Sequence, residues 1–401
     1  MGMNMGKILF FKWNAFMQEG IERALQELNI DYDTFYYIFK DWEKDDEFVS
    51  IFQSYVMENR HKKYDTVFSV NYSPLISSVC MEAGIHYVSW VYDEPLHIRS
   101  KTSLKNSCND IYFFDRMQCE RYAKRGVNAH HMPLAADSFV FSEKGIEQII
   151  KKRKNGTEQG VIPKEHINYD CDVSLVGKLY KSDYNYICTP LDQYLRGYLE
   201  GIVEAQKKVY GGCFIRDMVT SDLLKKLNNQ YIKASNGLFR VTKDEMNFVL
   251  GTEVTGRERY MALALLQNRC NVHVYSDDTD ERLNKVKFRG HIDYYTQMPK
   301  IFRASKINLN ISLKLIETGI PLRVLDVLGC NGFLITNYQQ ELLEYFEPEI
   351  DLVIYNDMVD LVTKVEYYLK HDNERNAIAR NGYEKVKKLF NFKDKLSVML
   401  L

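Results

Sequence analysis

Three stretches of this 401-residue chain combine residue types that can do chemistry. The first is Val176-Gly177-Lys178-Leu179-Tyr180-Lys181. A glycine directly after an apolar run lets backbone amides approach an anion closely, and Lys178 or Lys181 adds positive charge. The second is Pro321 followed by Arg323-Val324-Leu325-Asp326, which reads as the opening of a helix. Arg323 presents a rigid fork to a diphosphate, and Asp326 can accept hydrogen bonds from a pair of hydroxyls. The competing reading is helix electrostatics alone: an acid near a helix start, with an arginine paired to it. The third stretch is Trp90-Val91-Tyr92-Asp93-Glu94-Pro95. Asp93 is the candidate general base there, with Glu94 and His97 as rivals within a turn. Alternatively, Asp93 only caps the segment that follows.

Lesser candidates surround these. Asn310 and Ser312 alternate onto one face at the end of an apolar strand, to touch a ligand or to fix a loop. Tyr294 or Tyr295 can cover a flat ring, or simply fill the core. Asn14 and Asp115-Arg116 follow strands. A metal centre is not expected. The eight cysteines form no CxxC pair and read as free thiols in a reducing, cytoplasmic setting. Asp277-Asp278-Thr279-Asp280 reads as a solvated loop. Neither a GxGxxG nor a GxxxxGK[ST] run is present.

The elements that must position these residues are β/α units. Apolar strands are expected at 7–13, 66–70, 87–91 and 111–114, with a helix over 19–28. A second alternation starts at 172–176, is interrupted by a long, mostly helical stretch over 183–267, and resumes at 271–275, 285–288, 307–311, 333–335 and 352–355. The carboxyl-terminal part reads as helical, with Met358, Leu361, Val362, Val365 and Leu369 on one stripe. Near-continuous apolar runs at helix-length spacing predict parallel sheets covered on both faces. The basic run Lys151-Lys152-Arg153-Lys154 reads as a solvated helix end or linker. Fifty-three Lys and Arg balance 54 Asp and Glu, which argues against nucleic acid or anionic lipid as a partner. No window reaches the length of a membrane span, and the amino terminus is too short for a signal peptide.

Residues 288–337 read FRGHIDYYTQMPKIFRASKINLNIS and then LKLIETGIPLRVLDVLGCNGFLITN. Further on come Tyr367-Tyr368-Leu369-Lys370-His371, Glu374-Arg375, Ile378-Ala379 and Gly382. Together these resemble the donor-binding half of GT-B glycosyltransferases, most closely the spore-maturation (CgeB-like) group. The resemblance covers roughly residues 170–390; over the first 165 it rests on WVYDEP and on Pro133-Leu134-Ala135-Ala136-Asp137. It implies an α/β chain of two Rossmann-like, doubly wound domains facing a cleft. Residues 1–165 would form the acceptor side and 166–385 the nucleotide-sugar side, with a helix at 386–401 returning to the first domain.

The resemblance also implies a sugar transfer from a nucleotide diphosphate donor, UDP favoured, to a hydroxyl of a glycan or protein. No metal or other cofactor would be needed. Asp326 would take the ribose, and the loop holding His291 would present backbone to the nucleobase. Two positions depart from the family. Thr318, beside Glu317, stands where many relatives carry an acid eight positions before the ribose acid. Asn331-Gly332 replaces a double glycine, a small change because Asn tolerates left-handed angles. A sugar-nucleotide epimerase or hydrolase, or an inactive partner subunit, are the alternatives on this fold.

Overall fold

The computed structural model describes residues 6–58, 64–155 and 171–401. Two compact units are present: Met1–Val140 with Val386–Leu401, and Phe141–Lys385. The expected boundary at 165/166, with Gly156, Gly160 and Pro163, lies outside the described residues.

The first unit holds β1 (Lys7–Lys12), β2 (Tyr32–Tyr36), β3 (Tyr64–Val70), β4 (His86–Val91), β5 (Asn109–Phe113) and β6 (Ala129–His131). They form one parallel sheet in the order β2-β1-β3-β4-β5-β6. β1 is buried over its four central residues, as an all-apolar run covered on both faces should be. The sequence reading missed β2 and β6, the two edges. β2 alternates half-buried and exposed residues, and β6 is three residues long, so neither carries an apolar run. The carboxyl-terminal helix Phe392–Leu400 belongs to this unit, with Phe392 edge-on to Trp90 and closing over Gly20.

The second unit holds β7 (Cys171–Val176), β8 (Val272–Tyr275), β9 (Lys287–Phe288), β10 (Ser305–Asn310), β11 (Leu334–Asn337) and β12 (Val353–Tyr355). Its parallel order is β12-β11-β10-β7-β8-β9. Between β7 and β8 the chain builds helices Tyr184–Cys188, Gln193–Gln206, Ile215–Met218, Ser221–Ala234 and Lys243–Leu266. Asp192, Thr220 and Thr242 cap three of them, and Thr242 with Glu245 completes a capping box. These helices enclose a core of their own, from Tyr184 to Val254, separate from the core under the sheet. The basic run at 151–154 is the end of helix Glu143–Lys154. One member, Arg153, is no solvated residue: its side chain is 4% exposed and it pairs with Asp293 at 2.9 Å. Among the described residues no helix is long and apolar enough to cross a membrane.

Candidate functional site

In the second sheet the chain runs outward from β7 through β8 to β9, then returns to β10 on the other side of β7. A crevice opens at such a reversal beyond the carboxyl ends of the strands, and ligands of open α/β sheets bind there. Gly177 follows β7 and Ile311 follows β10, so the sequence-predicted loops at 177–181 and 310–312 flank this point.

Gly177 adopts φ 141, a conformation L side chains rarely adopt, and its N–H donates to the Tyr275 carbonyl at 3.0 Å. The Leu179 N–H donates to Asp278 at 2.8 Å. Tyr180, at φ 57, packs its carbonyl over Gly256, where a Cβ would come within 2.5 Å. Lys178 and Lys181 remain exposed at the surface of this fixed loop. Lys181 also lines a cavity of ≈370 Å³ with Tyr180, Glu253, Arg257, Tyr260 and Arg282. In that wall Arg257 is spent on Glu200, Glu204 and Glu253, and Arg282 on Asp280.

The residue that joins the two loops is Arg259, which sequence reasoning missed. From helix Lys243–Leu266 its Nε donates to the Ile311 carbonyl at 3.2 Å, Nη2 donates to the same carbonyl, and Nη1 donates to that of Lys178. The residue is 8% exposed, and no carboxylate pairs with it among the described residues. Its neighbour Glu258 is committed instead to Lys314, at 2.6 Å. Burial first, and then the Arg323 charge, pull the Arg259 pKa down. The guanidinium is thus a buried cation beside Gly177, whose added Cβ would stand 3.3 Å from Nη1. Three of its five N–H donors go to carbonyls, so two are left for an anion.

Asp326 lies in the helix expected just after Pro321, Leu322–Gly329, where it falls in the second turn and is 1% exposed. One carboxylate oxygen accepts from the Tyr294 hydroxyl at 2.6 Å and the other from Arg323 at 3.1 Å. Burial pushes its pKa up to about 6, against the opposing effects of Arg323 and Tyr294. Asp326 thus engages Tyr294 and Arg323 with one oxygen each, inside the unit. Arg323 keeps a quarter of its side chain exposed and lies within electrostatic reach of Arg259.

The other predicted residues divide. Asn310 and Ser312 take the loop-fixing alternative: Asn310 donates to Ser312 and Thr336, and the Ser312 N–H donates to Asn337. His291 follows Gly290 in an exposed loop, 3.4 Å from Asp277. Tyr295 meets Tyr294 edge-on. Glu317 is held by Arg216 at 3.0 Å, and Thr318 donates to Glu341 at 2.8 Å. Asn331 adopts the left-handed φ of 60 expected of it.

In the first unit Asp93 follows β4. No helix starts there for it to cap; its Oδ2 accepts from Asn71 Nδ2 at 2.7 Å. Burial raises its pKa, opposed by the His97 charge and by the Asn71 hydrogen bond. His97 is exposed on the same turn. Glu94 is buried against Arg121 at 2.8 Å. Asp115 is a buried cap, accepting from the Gln118 N–H at the start of helix Arg116–Ala123, and Asn14 accepts from Tyr36. Among the described residues no group of three or more His, Cys, Asp or Glu could hold a metal ion. All eight cysteines are free thiols.

Residues 257–400 match a family described as glycosyl transferase-like. No curated protein matches the chain. Among solved structures, a sucrose-phosphate synthase from Thermosynechococcus elongatus aligns over 98% of this chain and 97% of its own, with 12% identity and a TM-score of 0.54. Anabaena HepE in complex with UDP and glucose aligns over 99% of both chains at 12% identity and TM-score 0.46. The apo form of the lipopolysaccharide outer core galactosyltransferase WaaB covers 97% of both at 11% identity and TM-score 0.46. The fold, two six-stranded Rossmann-like domains, is GT-B.

Proposed function

We propose that the chain is a glycosyltransferase that moves a sugar from a nucleoside diphosphate donor, UDP favoured, to a hydroxyl of a glycan or protein. The observation that carries the reading is Arg259: a guanidinium buried at the switch point of the second sheet, between the carbonyls of two loops and with no ion-paired carboxylate among the described residues. A buried guanidinium with no ion-paired carboxylate among the described residues is matched by an anionic ligand, and a diphosphate fits the fork. The family match over 257–400, which includes Arg259, Arg323 and Asp326, supports the same reading.

In this account the acceptor oxygen forms a bond to the anomeric carbon as the bond from that carbon to the diphosphate breaks. The acceptor proton passes to Asp93. Charge building on the leaving diphosphate is met by Arg259, Arg323, the Gly177 backbone and Lys178 or Lys181, without need of a divalent metal. Asp326 keeps Arg323 in place instead of touching the ribose. The loop of His291 and Tyr294 lies beyond β9, where the base of the nucleotide is expected.

A second reading has two observations in its favour. Asp326 is buried and Glu317 is paired with Arg216, as in a chain that keeps the fold without the activity. Incubation with a panel of nucleotide sugars and assay of released nucleotide separates the two. Release of UDP that rises with added acceptor supports transfer. Release without acceptor indicates a hydrolase. No release and no thermal shift by any nucleoside diphosphate indicates the inactive partner.

A further inference from the structure

Asn71 stands at the end of β3 with every polar group engaged. Its N–H donates to the Trp90 carbonyl at 2.9 Å, and its own carbonyl accepts from Ser69 at 2.7 Å. Its side-chain oxygen accepts from the Tyr92 N–H at 3.0 Å, while Nδ2 donates to Asp93 Oδ2 at 2.7 Å. The residue is 5% exposed and left-handed, at φ 60. One amide therefore clamps both the backbone and the carboxylate of the turn after β4. The other carboxylate oxygen, Oδ1, has no hydrogen-bond partner among the described residues, and Asp93 is partly exposed.

We propose that Asn71 is the positioning residue for Asp93: it holds Oδ2, keeps the carboxylate ionised in a desolvated turn, and leaves Oδ1 to receive the acceptor proton. The inference rests on the reading of Asp93 as the base. A donated hydrogen bond favours the charged form of a carboxylate, so the amide offsets part of the cost of burial. The titratable groups in electrostatic reach of Asp93 are His97 and Tyr92 of its own segment. From helix Arg116–Ala123, neutral Gln118 donates to the Asp93 carbonyl and Arg121 is spent on Glu94, so no other amide shares the role.

The test is aspartate carboxyl ¹³C NMR on the full chain, with the Asp93 signal identified by its loss in Asp93→Asn. Asn71→Gly keeps the left-handed backbone and removes the amide. It moves the Asp93 midpoint up by about one pH unit. Sugar transfer then falls about tenfold in kcat, its acid limb shifts upward in step, and KM for the nucleotide sugar is unchanged. Should glycine loosen the turn, Asn71→Asp preserves its shape and raises the midpoint further by repulsion. An unmoved midpoint in a folded variant, or a kcat loss with no shift of the acid limb, overturns the proposal. If the wild type transfers no sugar, the base reading fails, while the NMR titration still decides whether Asn71 controls the Asp93 carboxyl.

Discussion

Both sheets end in a polar cluster at their carboxyl edge, yet the two are built with opposite electrostatics. Beyond β7 and β10, cationic side chains gather: Arg259 buried between carbonyls, Lys314 buried on Glu258, and Arg323, a quarter exposed, on Asp326. Beyond β3 and β4, one carboxylate is steadied by a neutral amide, Asn71 on Asp93. Fixed positive charge suits a site that must hold an anion through every step. A carboxyl that can gain and lose a proton suits a site that must take one. The sequence contains both sets of residues, but only the fold shows that the first set is cationic at its centre and that the acid in it, Asp326, is internal.

Breaking the cationic cluster gives the largest expected effect. Arg259→Met removes a desolvated guanidinium and should weaken UDP binding about 10³-fold by isothermal titration, since truncating a buried charge partner costs roughly 2–5 kcal/mol. Next is Asp326. Between about pH 4 and pH 6 the folded chain holds a proton there that the unfolded chain has released, so stability falls as pH rises through that window. Relative to Asp326→Asn, which cannot titrate, the wild type should lose about 2 kcal/mol from pH 4 to pH 7 in urea unfolding. Asp93→Asn should lower turnover about 10²-fold while UDP affinity stays the same, which separates the two clusters directly. The smallest effect is Gly177→Ala. A side chain at φ 141, 3.3 Å from Arg259, should cost about 1 kcal/mol and weaken UDP binding several-fold.

Inner strands such as β1 and β3 are legible because each carries an apolar run buried on both faces. The edge strands β2 and β6 were not, since an edge needs no such run. At the site, Gly177 could be read from its place directly after a strand, and Asn331 from its tolerance of left-handed angles. Arg259 could not: its helix reads as one more helix, and its partners Lys178 and Ile311 are 81 and 52 residues away. The signal that could have found it is its helical spacing: Arg259 lies four residues after Thr255, on the stripe that also holds Ala262, all of them buried. The burial of Asp326 is not legible in the sequence, because it depends on Tyr294, 32 residues away, covering the second turn of the helix after Pro321. Asn71 escaped attention because an asparagine after a strand normally signals only a turn.

Calorimetric titration of the full chain with UDP, UMP and uridine tests most directly whether the second unit holds a diphosphate. Tight binding of UDP, at least about 10²-fold weaker binding of uridine, and loss of that difference in Arg259→Met are the predicted results. Equal affinity for UDP and uridine, or no binding of either, would contradict it.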